Sequence, residues 1–222
     1  MADTRTTTSG GGSGGNRSGS GGRGNSSGSG GSGGTGGVRA DAQRNRQRLI
    51  EVARQAFNAG EGKVSLEAVA REAGVGIGTL YRHFPTREAL VEAVYRAERT
   101  RLCDTAAELL AELPPDRALR AWMGRFAEYI ATKRGLGDAL RALVASGTIT
   151  KSEAREELSA AVRRILDAGA AAGTLRADVE AEDVVVSMVG IVSVCALPEQ
   201  QDQATRLFDL LMDGLRTAPA AP

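Results

Sequence analysis

Apolar residues recur at intervals of three and four along most of the chain beyond residue 37, which is the spacing of an amphipathic α-helix. Ile50, Ala53 and Phe57 form the first such stripe, and Gly60 follows it as a helix stop. The pattern predicts helices over residues 41–59, 66–73, 77–84, 87–110, 116–132, 137–146, 152–172, 180–197 and 201–216. Glycine or proline stands between most of these segments, as expected at helix ends.

No stretch alternates apolar and polar residues for long enough to predict a β-strand, so the chain is predicted to be all-α. The longest apolar run, residues 184–197, is 14 residues long and contains two serines and a glycine. A membrane span needs about 18 or more apolar residues, so this run is predicted to be a buried helix and no membrane partner is expected.

The first 37 residues differ in composition from the rest of the chain. Sixteen are glycine, most of the others are Ser, Thr or Asn, and only the first two are apolar. Such a segment buries too little apolar surface to offset its ordering entropy, so residues 1–37 are predicted to be a flexible coil. Arg5, Arg17 and Arg23 leave an RNA-binding Arg-Gly tail as an alternative. The segment is too polar for a signal peptide.

The net charge of +1 is distributed unevenly. Residues 38–100 carry 11 Lys or Arg against 8 Asp or Glu, which gives +3, whereas residues 101–222 carry 14 against 18, which gives −4. The basic excess in the first segment favours a surface that faces nucleic acid.

The residues that usually carry catalysis or bind metals are few. Cys103 and Cys195 lack the spacing of a metal or redox motif, which indicates reduced thiols and a cytoplasmic protein. His83 is the single histidine, and no nucleophile has a base near it in sequence. No metal or cofactor is therefore expected, and an enzyme is the weaker alternative.

Three glycines at alternate positions, Gly74, Gly76 and Gly78, allow two interpretations. A dinucleotide-binding loop has the pattern G-x-G-x-x-G after a strand, but Thr79 stands where the third glycine is needed and a helix is predicted to precede the loop. A helix-turn-helix has a short helix, a tight glycine-containing turn and a second helix whose first turn enters the major groove of DNA. The spacing favours the helix-turn-helix.

Within that motif, the turn and the core positions follow from residue type. Gly74 is predicted to take the left-handed conformation that ends the first helix, and Val75 to pack beneath the turn. Leu80 and Phe84 lie four positions apart and are predicted to face the core. This leaves residues 77, 78, 79, 82 and 83 facing outward or sideways.

Residues 64–96, VSLEAVAREAGVGIGTLYRHFPTREALVEAVYR, resemble the N-terminal domain of TetR-family transcriptional repressors. The resemblance rests on EAVAREAGV, the small residues GT, LYRHF and the capped REAL helix, and it is close over residues 45–95. It implies a three-helix DNA-binding domain, here residues 38–100. It also implies that residues 101–222 form a helical domain that binds a small-molecule effector and dimerises.

Two positions depart from the family pattern. Gly76 stands where family members often have Ser at the start of the recognition helix, so a side-chain cap or phosphate contact is lost. Arg87 stands where Lys is usual, and it keeps a positive charge for phosphate.

The base contacts are assigned to the start of the second helix of the motif. Thr79 and Ile77 are placed to meet a base edge or a thymine methyl group, although a core position for Ile77 is an alternative. Gly78 lets the helix approach the groove closely. Arg82 either reads a guanine or contacts phosphate.

Phosphate contacts surround this helix. The resemblance implies them for Tyr81 and His83, with a half-buried core ring as the alternative for Tyr81 and a structural role as the alternative for His83. Hydroxyl or charge suggests them for Ser65, Arg87 and Arg44, with a solvated charge as the alternative for Arg44. The predicted DNA-contacting residues are thus Arg44, Ser65, Ile77, Gly78, Thr79, Tyr81, Arg82, His83 and Arg87.

Three of the eight aromatic residues, Trp122, Phe126 and Tyr129, fall at positions i, i+4 and i+7 of one predicted helix. This face either lines an effector pocket, with the Tyr129 hydroxyl as a polar group, or packs in the core. An effector would favour a spacing of the DNA-binding domains that no longer matches DNA. An architectural or activating DNA binder without an effector is the alternative.

A homodimer on palindromic double-stranded DNA is expected, because one recognition helix reads only a few base pairs. Helices 180–197 and 201–216 are predicted to form the interface as a bundle of four helices, two from each chain. The predicted interface residues are Val185, Met188, Val189 and Val192 on the first helix and Leu207 and Leu211 on the second, with Leu210 and Leu215 on the same stripe. The alternative is that these residues complete the core of the monomer.

Overall fold

The computed structural model describes residues 34–58 and 64–217. Within these residues it contains nine α-helices and a short 3₁₀ turn at Pro198–Gln200. The helices are α1 (Gly34–Asn58), α2 (Leu66–Glu72), α3 (Ile77–His83), α4 (Arg87–Glu112), α5 (Pro115–Gly135), α6 (Gly137–Ala145), α7 (Lys151–Ala171), α8 (Ala181–Val194) and α9 (Gln201–Leu215). The described residues include no β-strand, only an isolated bridge between Leu175 and Arg216. The predicted all-α fold is confirmed.

The largest departure from the predicted helices is at the start of α1. This helix begins at Gly34 rather than residue 41, so residues 34–37 are helical although a coil was predicted there. Each added residue extends an existing helix by one hydrogen bond, whereas apolar periodicity marks only the part that packs on the core. The coil predicted for residues 1–33 and the stop at Gly60 lie outside the described residues.

Side-chain caps fix where two helices of the N-terminal domain begin. The Ala68 amide donates to the Ser65 hydroxyl over 3.3 Å at the start of α2. The Ala89 amide donates to the Thr86 hydroxyl over 3.1 Å at the start of α4. Caps of this kind contribute about 1 kcal/mol each.

One apolar core runs through the described residues. Its N-terminal part joins α1, α2 and α3 around Leu49, Leu80 and Phe84, each at most 2 % exposed. The long helix α4 leaves this part and packs against α1, α5, α6 and α7. The predicted domain boundary at residue 100 therefore lies inside α4, and the two parts of the chain share one continuous helix.

A buried arginine joins α4 to α7. Arg99 is only 4 % exposed, and its Nη2 lies 3.0 Å from a carboxylate oxygen of Glu153. Its Nε lies 2.7 Å from a carboxylate oxygen of Glu157. The guanidinium carbon also lies 5.6 Å from the centre of the Tyr95 ring. The contact between these helices thus depends on a paired charge as well as on apolar packing.

The apolar run of residues 184–197 forms most of α8, which packs against α7 and α9. One face of this helix is buried, as predicted, and another is exposed. Among the described helices, none combines the length and apolar content needed to cross a bilayer.

Candidate nucleic-acid interface

The turn between α2 and α3 is closed by backbone hydrogen bonds. The Gly74 amide donates to the Arg71 carbonyl over 3.1 Å and the Val75 amide to the Ala70 carbonyl over 2.9 Å, which is a Schellman pattern. Gly74 has a φ of +68°, in the left-handed region that favours glycine. The predicted left-handed turn is confirmed, and it sets the direction in which α3 leaves α2.

The helix α3 has a buried face and an exposed face. Leu80 and Phe84 are buried, as predicted, and they hold the helix against α1 and α2. Ile77 and Tyr81, one turn apart, are 39 % and 44 % exposed. Large apolar side chains that lie together on the surface often mark a contact site, so a core position for these two residues is disfavoured.

Gly78 and Arg82 are also exposed. Residues four apart share one face of a helix, so Gly78 and Arg82 form a second pair next to Ile77 and Tyr81. A Cβ atom placed on Gly78 would have no neighbour within 4 Å. Packing within the chain therefore does not require a glycine here. The outer face of α3 instead has a flat centre, flanked by an aromatic ring and a guanidinium group.

Thr79 and His83 lie at the side of this exposed face and are half-buried. The His83 ring is tilted against the Phe84 ring, with 6.3 Å between the ring centres. Both side chains thus contact the domain and still reach solvent, which is the sideways one of the two orientations predicted for them.

The Ser65 hydroxyl already has two partners within the chain. It accepts from the Ala68 amide and donates to the Glu67 carboxylate over 2.6 Å. That hydrogen bond lowers the pKa of Glu67, so a negative charge is kept next to the hydroxyl. A phosphate approaching Ser65 would be repelled by this carboxylate. The geometry therefore favours a capping role for Ser65 over the predicted phosphate contact.

Two arginines near α3 pack on aromatic rings of the N-terminal core. The guanidinium carbon of Arg87 lies 5.8 Å from the centre of the Phe57 ring. That of Arg46 lies 5.2 Å from the centre of the Phe84 ring. Cation–π contact restrains both side chains and leaves their charge available at the surface.

Arg44 lies on the exposed side of α1, where it forms an ion pair with Asp41. Both side chains are largely solvated, so the pair is weak. A DNA phosphate at Arg44 would have to displace Asp41, which was not foreseen from the sequence.

Arg48 of α1 supports the motif from outside it, and the sequence did not predict this role. Its Nη1 donates to the Ala73 carbonyl over 3.4 Å, where α2 ends. A cation is favourable at this position because the carboxyl end of a helix carries partial negative charge. Arg48 thus braces the turn from α1. The two residues are 25 positions apart, and no local pattern indicates such a pairing.

The aromatic residues of α5 divide between core and cavity. Trp122 is fully buried, donates from Nε1 to the Leu102 carbonyl over 3.0 Å and stacks on Phe126. Trp122 therefore packs in the core against α4, which is the alternative that the sequence left open. Phe126 and Tyr129 do border a cavity of about 820 Å³ between α5, α6, α7 and α8, which we call the C-terminal cavity.

The wall of the C-terminal cavity has few polar atoms. Burial raises the pKa of Tyr129, so its hydroxyl stays protonated.

Across the described residues, no group of three or more His, Cys, Asp or Glu side chains is placed to hold a metal ion.

The predicted dimer residues on α8 are mostly unavailable to a partner. Val185, Met188 and Val192 are buried within the chain, so their assignment to an interface is corrected. The inward stripe of α8 repeats every three to four residues, which places all three on the buried side of the helix. Val189 is exposed, together with Val186. On α9, Leu207 and Leu211 are half-buried, Leu210 is exposed and Leu215 is buried.

A glycine-closed turn, a short exposed helix and a three-helix support together define a helix-turn-helix DNA-binding regulator. Family models agree with this class. Residues 49–94 match bacterial regulatory proteins of the tetR family, and residues 114–217 match the C-terminal domain of SbtR-like transcriptional regulators.

Solved structures of two regulators resemble nearly the whole described fold. A TetR transcriptional regulator from Streptomyces coelicolor is 49 % identical, with a TM-score of 0.70 over 79 % of this chain and 99 % of that one. A TetR transcription regulatory protein from Mycobacterium vanbaalenii is 37 % identical, with a TM-score of 0.65 over 81 % of this chain and 99 % of that one. The chain belongs to the TetR family of transcriptional regulators.

A relative from Staphylococcus aureus matches only the N-terminal part. This helix-turn-helix-type transcriptional regulator is 44 % identical over 54 residues, which are 24 % of this chain and 29 % of that protein. The match thus spans less than a third of the relative's length, which limits the likeness to the DNA-binding region.

Proposed function

We propose that this regulator is a homodimeric repressor that binds a palindromic DNA site and is released by a small-molecule effector. The observation that carries the proposal is the outer face of α3. Ile77 and Tyr81 are exposed there beside Gly78 and Arg82, on a helix whose other face is fixed by Leu80. Such a face fits the major groove, where apolar groups meet thymine methyl groups and arginine meets guanine.

The exposed apolar residues of α8 and α9 support a dimer. Val186, Val189 and Val194 on α8 and Leu210 on α9 are exposed. These helices pack on each other within the chain, so a second copy would complete a four-helix bundle. The proposed interface thus keeps the predicted helices and moves to their outer residues.

The C-terminal cavity supports an effector. Its volume of about 820 Å³ falls in the range of about 300–1,000 Å³ typical of small-molecule sites. Tyr95 of α4 also lines it, and α4 continues from the DNA-binding domain. A ligand that shifts α4 would change the spacing between the two recognition helices of a dimer.

An activating or architectural DNA binder without an effector is the second candidate. A collapsed C-terminal core would favour it, and the open cavity argues against it. A reporter gene whose promoter contains the bound site separates the candidates, because a repressor lowers its transcription and an activator raises it.

The direct test is binding of the full chain to DNA from upstream of its own gene. We expect affinity that falls as salt rises, because phosphate contacts release counterions, and that survives competition by scrambled DNA. Binding without sequence preference, or no binding at low salt, would refute a sequence-specific regulator.

A further inference from the structure

The rim of the C-terminal cavity is uniformly basic. Its 22 lining residues include five Lys or Arg and no Asp or Glu. The five are Lys133, Arg134, Arg141, Lys151 and Arg155, and all are exposed. The segment that contains them, residues 101–222, has four more acidic than basic residues. The rim is therefore positive, although the domain that contains it has a net negative charge.

Two of these charges are free to meet a ligand. Arg141 and Arg155 each pair with a carboxylate outside the lining, and Arg134 donates to backbone carbonyls at the end of α8. Lys133 and Lys151 take part in no ion pair with any residue in the ranges that the structure describes. An ammonium group without a carboxylate partner is available to bind an external anion.

The interior of the cavity is apolar. Leu140, Val144, Ile149 and Leu158 line it from α6, the loop after it and α7. Phe126 closes it from α5. Such a wall binds an apolar body by removing it from water and offers few hydrogen bonds to a polar one.

We infer that the C-terminal cavity takes an amphipathic anion, a molecule with an apolar body and one acidic head group. The body lies among the residues of α6 and α7, and the head group stays at the rim that bears Lys133 and Lys151. This inference rests on the proposed effector function and names the chemical class of that effector.

The other large cavity of the molecule gives no such indication. It measures about 1230 Å³ and lies between α1, α4 and α5. Five acidic and three basic residues line it, and Arg54 there pairs with Glu51 and Glu98. Its lining carries two more acidic than basic residues, so it gives no indication of an anionic ligand.

Three ten-carbon probes with different head groups test the inference on the full chain. Decanoate and decyltrimethylammonium are titrated below their micelle concentrations and decanol below its solubility limit, with heat of binding and thermal midpoint as readouts. We expect decanoate to bind about tenfold or more tightly than decanol, since a charge-assisted contact is added, and the cation to bind least. Equal binding of decanoate and decanol, or tighter binding of the cation, overturns the inference.

Substitutions at the rim and in the interior separate the two parts of the site. Lys133→Met and Lys151→Met should each weaken decanoate by about tenfold and leave decanol unchanged. Val144→Phe should weaken both probes, because it fills the apolar interior. Arg164→Met, an exposed change on α7 outside the lining, is the matched control and should alter neither. Lysine variants that bind decanoate as the parent does would contradict the inference.

DNA binding by the same proteins, without any probe, distinguishes the two proposals. If the chain binds DNA specifically and no probe follows the expected order, the anion inference fails and the regulator stands. If decanoate binds as expected and no DNA is bound, the regulator fails and the cavity assignment stands.

Discussion

Gly78 lies at the centre of the exposed face of α3, where a side chain would have no neighbour in the chain. A glycine inside a helix costs about 0.5–1 kcal/mol relative to alanine, because more backbone freedom is lost on folding. Neither a turn nor close packing within the chain explains the residue. We propose that close approach to the DNA groove explains it.

Substitution of this glycine separates stability from DNA binding. Gly78→Ala should raise the free energy of unfolding by about 0.5–1 kcal/mol and weaken DNA binding, because a methyl group enters the proposed contact. Gly124→Ala is the matched control, since Gly124 is also helical and free of neighbours. It should gain similar stability in denaturant unfolding and keep full affinity for DNA. Unchanged affinity in Gly78→Ala would remove Gly78 from the interface.

Thr79 and Arg87 are proposed to act differently on DNA. Thr79→Ala should relax the preference among DNA sequences, because a base contact is lost. Arg87→Ala should weaken binding to all sequences alike and lower stability by about 0.5–1 kcal/mol, because the cation–π contact with Phe57 is also removed. Competition binding across a set of related sites measures both effects. Variants that lose only thermal stability would refute these roles.

At the scale of helices, the motif was readable from the sequence and the orientation of α8 was not. Ser65 and Gly74 set the bounds of α2, because a cap and a left-handed turn act locally. In α8, Val185 and Val186 are neighbours of the same type, yet one is buried and the other exposed. Which of them faces inward depends on where α7 and α9 pack, and periodicity cannot supply that.

The end of α7 depends on one close contact. A Cβ atom on Gly169 would lie 2.4–2.8 Å from side-chain atoms of Leu175, which is buried. The next residue, Arg176, donates its amide to the Leu215 carbonyl over 2.9 Å, so the loop after α7 is held to the end of α9. Gly169 is therefore required by packing, unlike Gly78.

A methyl group added at Gly169 should lower the free energy of unfolding, and the size of the effect should depend on Leu175. Gly169→Ala should lower the free energy of unfolding by about 1–3 kcal/mol, because Leu175 must move. Leu175→Ala should cost less in the Gly169→Ala background than in the parent, because it relieves the overlap. Denaturant unfolding of the parent, the two single variants and the double variant gives the coupling free energy between the two residues. Strictly additive costs would show that the two residues do not clash.

Neutralising the two glutamates that pair with Arg99 should lower the free energy of unfolding more than replacing Arg99 itself. The double variant Glu153→Gln, Glu157→Gln leaves Arg99 buried without a carboxylate and should cost about 3–5 kcal/mol. Arg99→Met should cost less, because it removes the buried charge and frees two carboxylates that are 41 % exposed. Unfolding in denaturant compares the variants. A larger cost for Arg99→Met would mean that Arg99 contributes mainly through packing.

At the scale of the whole molecule, the outer residues of α8 and α9 are expected to hold two copies together. Leu210 is 68 % exposed, as is Val38 on α1, so the two residues allow a matched comparison. Leu210→Glu should convert the dimer to a monomer at micromolar concentration, since a charge would be buried in the bundle. Val38→Glu should leave the dimer intact. Sedimentation measures both, and a dimer that persists in Leu210→Glu would place the interface elsewhere.

The helix α8 contributes to two surfaces at once, because Val186 and Val189 are exposed on its outside and also border the C-terminal cavity. If the effector site and the dimer interface are as proposed, a change at either position alters ligand fit and subunit pairing together. Val144 on α6 and Leu158 on α7 line the cavity and do not belong to the proposed dimer interface. Anyone converting this protein into a biosensor for a new compound should therefore randomise α6 and α7 and keep α8 constant.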